Sequence, residues 1–301
     1  MKKFFLALSC AFSMGISAQS LEVDSTKHWS IEGQNSLMLN QSSFSNWVGG
    51  GSNSIGWLAG ANYNLTYKKG KNLLENTIIL GFGQNDTEGL GKRKTQDIIN
   101  LNSNYGYEIG KNWYASAGAG FLSQFAPGYE DGNNPSAPKI SNFMAPAYIN
   151  VGAGFTYRPH DNFTMTLRPV NARWTLVLDT DLQKAGNFGL KNNGDSSLFQ
   201  LGFYGNILYK TKLMENVFLT NTASVFSNYL DHPERLVLGY SGILNMKVNK
   251  YISTNITLDL FYDHNQIKRT QLKQTLGVGF AYNISNGIKF KEETRNKTWK
   301  K

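Results

Sequence analysis

Three of the four histidines stand beside residues with which an imidazole could do acid–base chemistry. His28 precedes Ser30 by two positions, so it could deprotonate a serine nucleophile. Such catalysis also needs a third group that orients the imidazole and donors that stabilise an oxyanion. The glycine-rich surroundings expected of such a pair are missing here, and we favour a solvated strand start at this position.

Two Asp-His pairs, Asp231-His232 and Asp263-His264, lie in segments with the composition of loops. An acid beside a histidine can activate water, but Asp and His are also common at loop tips because they satisfy turns. Asp259, Asp263 and His264 could together ligate a metal, although their spacing matches no regular ligand pattern. We therefore predict no catalytic residue, no metal site and no cofactor.

The single cysteine, Cys10, lies within an N-terminal leader. Two lysines precede an apolar stretch at residues 4–16, and small residues at 16–18 suit cleavage before Gln19. Acylation of Cys10 is the alternative, but Ala7-Leu8-Ser9 matches a lipidation box poorly. The sequence predicts an exported chain whose mature form carries no thiol and therefore no disulfide.

Charge and hydropathy limit the class of protein further. The formal net charge is +9, but the charges are scattered singly except in the tail from Lys289 to Lys301, so we predict no nucleic-acid partner. Mean hydropathy is −0.36 despite 13% aromatic residues and 30 glycines. Such a mixture disfavours a helical membrane protein and favours strands whose apolar and polar residues alternate.

Alternation with period two runs through most of the chain and is clearest at 252–262. One face there carries Ile252, Thr254, Ile256, Leu258, Leu260 and Tyr262, and the other carries Ser253, Asn255, Thr257, Asp259 and Phe261. Similar segments at 55–67, 145–157 and 272–282 reach the roughly 9–11 residues that a tilted strand needs to cross a bilayer core. The pattern predicts strands that face hydrocarbon on one side and a polar interior on the other.

The predicted fold class is all-β, an antiparallel transmembrane β-barrel of about twelve strands. We place the strands at 28–40, 52–68, 72–84, 93–109, 113–124, 144–158, 163–178, 197–210, 217–228, 235–248, 251–262 and 270–283. Short turns, such as Lys69-Gly70-Lys71, alternate with longer polar links. Barrels of the outer membrane have short periplasmic turns, which predicts that both termini are periplasmic.

Aromatic residues gather beside the short turns and predict an interfacial girdle. They are Tyr67, Tyr107, Trp113, Tyr157, Phe163, Tyr209, Phe218 and Tyr251. In the last strand, Thr275, Gly277, Phe280 and Tyr282 resemble the terminal-strand signal that barrel-assembly machinery recognises. The match departs from the usual form because the chain continues beyond this strand.

Charged residues within the predicted strands should point into the lumen, since facing lipid at mid-depth costs about 2–4 kcal/mol. These lumen-lining candidates are Glu75, Asp97, Arg158, Arg168, Lys247, Asp259 and Lys273. They could crosslink a filled interior or form a selectivity lining. A barrel of about twelve strands has a small interior, so we favour a filled or narrow lumen.

Several short motifs resemble those of an uncharacterised family of Gram-negative outer-membrane barrels catalogued as a domain of unknown function. They are Ser45-Asn46-Trp47-Val48-Gly49-Gly50-Gly51-Ser52-Asn53-Ser54, Leu74-Glu75-Asn76, Gln124-Phe125-Ala126-Pro127-Gly128-Tyr129, Ile140-Ser141-Asn142-Phe143 with Ala145-Pro146, Tyr157-Arg158-Pro159 and Leu167-Arg168-Pro169. The resemblance covers roughly residues 28–180 and implies fold and location. It implies no activity, and no functional residue is transferred.

The first motif contains a glycine-rich first loop of Trp47, Gly49, Gly50 and Gly51. The glycines permit the positive φ angles of a sharp turn, and Trp47 would anchor the loop at the interface or cap it. A phosphate-binding loop would need a following helix, whereas a strand is predicted next. We therefore expect a structural loop.

The predicted organisation has four parts: a signal peptide at 1–18, a periplasmic segment at 19–27, the barrel at 28–283 and a basic periplasmic tail at 284–301. The expected location is the outer membrane, with lipid and the barrel-assembly machinery as partners. We favour a non-enzymatic structural or accessory subunit of an outer-membrane assembly, which would add protein partners. The alternatives are a small channel or ligand-specific pore, and an outer-membrane phospholipase or protease.

Overall fold

The computed structural model describes residues 28–43, 52–131, 134, 136–186, 188–249 and 251–286. Twelve of its strands close into one antiparallel barrel in which strands that follow one another along the chain pair, and the first strand finally pairs with the last. The barrel strands are β1 (Trp29–Ser42), β2 (Ser54–Lys69), β3 (Asn72–Thr87), β4 (Gly91–Gly110), β5 (Trp113–Ser123), β8 (Ala147–His160), β9 (Phe163–Leu176), β10 (Ser197–Met214), β11 (Val217–Asn228), β12 (Val237–Lys247), β13 (Ile252–Asp263) and β14 (Ile267–Ser285). The predicted fold class and number of strands are confirmed.

Three smaller elements lie in the connections. The strands β6 (Gly128–Tyr129) and β7 (Lys139–Ser141) pair as a separate hairpin, and the helix α1 (Thr180–Lys184) follows β9. We call the end of the barrel that carries these elements the loop end, and the opposite end the turn end. Among the described residues, no helix is long and apolar enough to cross a membrane.

The alternating sequence produces two faces of opposite character. Large apolar side chains are exposed on the outer face, and Leu276 and Phe280 of β14 are 69% and 62% accessible. On the inner face polar side chains are buried, and Thr156 and Asn171 have no accessible surface. A soluble protein has the reverse arrangement, so this wall is built for a hydrocarbon exterior.

Tight turns at the turn end join most neighbouring strands, and asparagine supplies the backbone conformation that two of them need. Asn112 and Asn216 have φ angles of 64° and 63°, a left-handed region in which asparagine is tolerated better than most residues. Aromatic rings form part of the predicted girdle here: the ring centroids of Trp113 and Tyr157 are 4.8 Å apart. Phe218 does not belong to the girdle, because it faces the lumen. Its strand partner Asn245 is also paired with inward-facing Asn255.

Two links predicted to be long are short in the structure. The strands β3 and β4 continue to Thr87 and Gly91, and β14 begins at Ile267, directly after a turn at 264–266. These strand ends carry charges such as Lys92 and Arg93, which suggested loops. Strand pairing continues past the apolar belt, where polar side chains meet water instead of lipid.

The strands β1 and β14, which close the barrel, are paired along only part of their lengths. The ladder between β1 and β14 runs from Glu32–Ser285 to Met38–Gly279, whereas β1 pairs with β2 along its whole length. Residues 39–42 of β1 and 275–278 of β14 are therefore not joined to each other in the ladder. This closing ladder, Glu32–Met38 with Gly279–Ser285, joins the first barrel strand to the last.

Candidate functional site

Arg168, one of the lumen-lining candidates, lies on the inner face of the barrel. It follows the outward-facing Leu167 on β9, next to an irregularity in the pairing of β8 with β9. Its Nη2 donates to the Oδ1 of Asn104 on β4, 3.1 Å away, and its guanidinium lies 5.6 Å from the ring centroid of Tyr204 on β10. The side chain thus spans the inner faces of β8 and β5.

Glycines on those two strands make room for the guanidinium. A Cβ at Gly118 of β5 would lie 2.1 Å from the Nη2 of Arg168, and a Cβ at Gly152 of β8 would lie 3.0 Å from the Cδ of Arg168. Arg168 is only 8% accessible, yet its Nε has no hydrogen-bond partner among the described residues, and neither polar atom of the Asn171 amide has one there. The centre of the lumen therefore contains buried donors without acceptors.

Glu75 and Arg158 meet nearer the turn end. Their side chains form an ion pair of 3.0 Å between β3 and β8, across the inner faces of β4 and β5. Arg158 also pairs with the more exposed Asp161 at 2.7 Å. Lys247 lies above the ring of Phe218, with its Nζ 5.1 Å from the centroid. These groups place a second set of crosslinks in the lumen.

Lys273 and Asp259 are cross-strand partners on β14 and β13. The Ser241 hydroxyl donates to Asp259 at 2.6 Å, and Lys273 donates to Gln96 of β4, with β1, β2 and β3 between their strands. A further contact crosses the loop end, where the amide of Gln266 donates to the hydroxyl of Tyr148 at 3.2 Å. Polar contacts therefore cross the lumen at several levels.

Asp97 corrects the lumen prediction. Its strand partner is Phe82, so it shares the outward register of β4, whereas neighbouring Gln96 contacts the inward-facing Lys273. The loop after β5 covers Asp97, whose carboxylate accepts the backbone N–H groups of Phe125 and Ala126 at 2.7 Å and 3.2 Å. Local pairing with a lysine and a loop, rather than an inward position, accommodates this charge.

The β6–β7 hairpin contacts β4 near Asp97. Lys94 donates to Asp97 at 2.6 Å, to the Ala126 carbonyl at 2.6 Å and to the Ser141 hydroxyl at 3.2 Å. Side chains of β7 and of the turn after it are uncovered, and Ile140 and Phe143 are each 53% accessible. This exposed apolar pair lies beyond the barrel strands.

A cap folds over the loop end around α1. Ala145, Val177, Leu182 and Leu190 form a small buried apolar cluster there. Asp179 begins the helix, because its Oδ1 accepts the N–H groups of Asp181 and Leu182. Its Oδ2 accepts from the ammonium group of Lys139 and from Asn142, both at 2.8 Å.

These contacts stabilise the charged form of the Asp179 carboxyl. The hydrogen bond from Lys139 is the largest cause that lowers the pKa of the Asp179 carboxyl to about 2, although burial opposes it. The same pairing raises the pKa of Lys139. The predicted strands at 163–178 and 197–210 leave residues 179–196 as a polar link, whereas the structure has a helix and a buried cluster there. The sequence signal for the cap was an Asp placed just before a Thr-Asp-Leu-Gln segment, a common helix start.

Arg173 and its aromatic neighbours were not among the sequence candidates. The guanidinium carbon lies 5.0 Å from the ring centroid of Tyr148 and 5.3 Å from that of Phe226. A cavity of about 160 Å³ adjoins these side chains, and a second of about 250 Å³ shares Leu122 and Tyr148 with it. The Arg173–Tyr148–Phe226 cluster is thus an aromatic-walled cation beside open lumen space.

The histidines predicted as catalytic candidates have other contacts. The ring of His28 packs edge-on against Tyr67 at 5.9 Å between centroids. The Nδ1 of exposed His232 lies 2.9 Å from Glu234, and the pKa of Glu234 is lowered by a backbone hydrogen bond and by this contact. The Nδ1 of His264 is 3.4 Å from the Tyr262 hydroxyl.

Metal-ligating side chains are dispersed. In the part of the chain that the structure describes, no three His, Cys, Asp or Glu residues lie close enough to hold a metal ion. Asp263, one of the three candidate ligands, accepts the backbone N–H of Asn265 at 2.9 Å and so stabilises its own turn. Asp259 is held by Ser241, as described above.

The proposed assembly signal lies on the closing strand. Phe280 is paired with Leu37 of β1 and Ile252 of β13, while Tyr282 is paired with Asn35. Thr275 and Gly277 precede them on β14 and face inward, since their β13 partners are the inward-facing Thr257 and Asn255. The glycine-rich first loop, Trp47 with Gly49, Gly50 and Gly51, lies outside the described residues, as do Cys10, the leader and the basic tail after Asn286.

A closed antiparallel ring that is apolar outside and polar inside defines a transmembrane β-barrel of the outer-membrane type. A family model described as "Protein of unknown function (DUF3078)" matches residues 39–129. This match includes the first-loop motif and confirms the predicted resemblance over those residues. No curated protein matches the chain.

Solved outer-membrane barrels are similar to the chain at low identity. The translocator domain of autotransporter NalP from Neisseria meningitidis has 13% identity, a TM-score of 0.37, and coverage of 87% of this chain and 90% of its own. The COG4313 outer membrane channel from Pseudomonas putida F1 has 11% identity, a TM-score of 0.38, and coverage of 88% and 100%. The NanC porin has 9% identity, a TM-score of 0.36, and coverage of 83% and 98%. No activity is transferred from them.

Proposed function

We propose that the protein is a non-enzymatic outer-membrane barrel that serves as a structural or accessory subunit of a larger assembly. The observation that carries this proposal is the set of contacts across the lumen. Arg168–Asn104, Glu75–Arg158 and Lys273–Gln96 each join strands that are not neighbours. An interior tied together in this way stabilises a scaffold and narrows any aqueous path.

The exposed apolar pair on the β6–β7 hairpin supports a protein partner. Ile140 and Phe143 lie three residues apart and are both half exposed, so together they offer an apolar contact surface. Native electrophoresis of tagged protein in mild detergent should show a complex larger than the monomer. The double variant Ile140→Asp and Phe143→Asp should migrate as the monomer, because the charges cannot be buried in an apolar interface.

The matched control is Leu230→Asp, which places the same charge on another exposed loop residue. This variant should retain the larger complex. A wild-type protein that is strictly monomeric when extracted from membranes would contradict the assembly role. A complex that survives both hairpin substitutions would instead show that Ile140 and Phe143 are not the contact surface.

A small channel or ligand-specific pore is the second candidate, and the two lumen cavities favour it. Planar-bilayer recording separates the two functions. The scaffold should give no single-channel steps. Steps in the wild type whose amplitude changes in Arg168→Ala would instead identify a conducting lumen.

The absence of catalysis is also part of the proposal. The contacts of His28, His232 and His264 with Tyr67, Glu234 and Tyr262 give each imidazole a local packing role. Phospholipid and peptide substrates should therefore remain intact in the presence of pure protein. Hydrolysis that is lost in His28→Ala, His232→Ala or His264→Ala would establish an outer-membrane hydrolase.

Export and insertion complete the proposal. The chain would cross the inner membrane through the cleaved leader, and barrel-assembly machinery would recognise Thr275, Gly277, Phe280 and Tyr282. The mature N-terminus should then be Gln19. Replacing Phe280 and Tyr282 by serine should lower the amount of folded barrel in the outer membrane, whereas the same change at Leu272 should not.

A further inference from the structure

The lumen contains more positive charge than its neighbouring carboxylates neutralise. Arg168, Arg173 and Lys273 all face inward, and none of them lies within ion-pair distance of a carboxylate in the described residues. Glu75 is already paired with Arg158, and Asp259, the cross-strand partner of Lys273, offsets at most one of these three cations. The interior should attract anions.

Arg173 is the cation best placed to bind one. Tyr148 and Phe226 pack against its guanidinium, while its N–H groups have no acceptor among the described residues. An arginine has five N–H donors in one plane. When rings cover the faces of that plane, its edge remains available for the two parallel hydrogen bonds that a carboxylate accepts.

The space beside Arg173 indicates what else the ligand carries. The cavity of about 160 Å³ is walled by Leu122, Tyr148, Tyr204, Phe226 and Phe261 as well as Arg173. Aromatic and aliphatic walls favour an apolar group over a hydrated one. A cavity of this size suits one ring or a short chain, and its neighbour of about 250 Å³ continues along Tyr148 towards Lys273.

We propose that the lumen binds a small organic anion, with its carboxylate on the edge of the Arg173 guanidinium and its apolar or aromatic group in the adjoining cavity. The buried donors of Arg168 and Asn171, which have no acceptor in the described part of the chain, extend the same electropositive surface along β9. This site does not depend on the proposed role in an assembly. A barrel with partners and a barrel that conducts would both contain it.

Isothermal titration of the detergent-solubilised barrel with benzoate tests the charge and the ring together. Benzoate should bind. Benzamide, which has the same ring and no charge, should bind about tenfold more weakly or not at all, since it cannot accept charge-assisted hydrogen bonds. Inorganic phosphate should also bind more weakly than benzoate, because it leaves the apolar walls uncovered.

Variants locate the site. Arg173→Gln should weaken benzoate binding by about tenfold or more, whereas Lys247→Gln, an inward cation outside both cavities, should leave it unchanged. Should Arg173→Gln fail to fold, Phe226→Leu keeps the charge and removes one ring, and benzoate affinity should fall while phosphate affinity does not.

Three results would overturn the proposal. They are no benzoate binding by the wild type at millimolar concentration, equal binding of benzamide, and benzoate affinity that Arg173→Gln and Phe226→Leu both leave unchanged. Each of these binding results can be obtained whether or not a protein partner or a conductance is found. The test therefore separates this site from the proposed function.

Discussion

Neutralising Asp179 should loosen the cap at the loop end without unfolding the barrel. The variant Asp179→Asn retains an oxygen that can accept the N–H groups of the first helical turn, since asparagine is a good N-cap residue. It removes the negative charge that binds Lys139. The variant Asp179→Ala removes both interactions and should loosen the cap further.

The size of the effect follows from the pKa. Lowering the pKa of Asp179 from 3.8 to about 2 corresponds to about 2 kcal/mol in favour of the charged carboxylate in the folded cap. The side chain is only 7% accessible, so solvent screens little of this. Asp181 also contacts Lys139, at 3.0 Å, but is 66% accessible. Asp181→Asn should therefore cost well under about 1 kcal/mol.

Amide hydrogen exchange measures this local opening directly. Asparagine keeps the bonds to the first-turn N–H groups, so about 2 kcal/mol is the upper limit of the loss, and the protection of the Leu182 and Ala185 amides should fall by at most roughly 30-fold in Asp179→Asn. Strand amides such as those of β9 should keep their protection, because the barrel opens separately. Asp181→Asn serves as the control with the same chemical change.

The pH dependence has a definite sign. The folded pKa is depressed, so the contribution of Asp179 is complete above the pKa of the unfolded state and disappears as the pH falls through about 2. Protection of Leu182, corrected for intrinsic exchange, should fall between about pH 4 and pH 2 in the wild type and stay flat in Asp179→Asn. Equal protection of wild type and Asp179→Asn at neutral pH would refute this account of the cap.

Three further predictions concern the wall of the barrel. Gly154→Ala should destabilise the barrel by about 1–3 kcal/mol or more in urea unfolding from lipid vesicles, because its Cβ would meet backbone atoms of β9, whereas Gly110→Ala has open space and should be neutral. The double variant Leu37→Cys and Phe280→Cys should form a disulfide across the closing ladder. The double variant Leu37→Cys and Val278→Cys should not, since diagonal partners are too far apart. The opposite result would mean that the register of β1 against β14 is shifted. A cysteine at His232 should react with a membrane-impermeant maleimide on intact cells if the loop end is outside, and protection there would reverse the predicted orientation.

Much of the barrel was predictable from alternation alone. In β13, apolar residues at every second position gave both the strand and its lipid-facing side. The pattern failed where strands leave the apolar belt. Residues 85–92 look like a loop because they are polar, yet β3 and β4 remain paired there. A polar side chain above the membrane surface carries no information about whether its backbone is paired.

The interior was predicted less completely. The cost of placing charge in lipid predicts an inward position for Arg168, which has one. The same argument is wrong for Asp97, because the pairing of β3 with β4 is irregular next to Gln96 and a loop supplies donors to the carboxylate. Arg173 was overlooked since its role depends on Tyr148 and Phe226, which belong to other strands. Such convergence of distant residues has no signature in the local sequence.

The closing ladder has a consequence for biogenesis. It unites strands that are about 250 residues apart, so neither can find the other until the whole barrel segment has been exported. Until then the growing sheet has two bare edges, each able to template association with a neighbouring molecule. A chain ending before Ile267 would keep those edges permanently, and it should accumulate as aggregates or be degraded instead of entering the membrane as a slightly smaller pore.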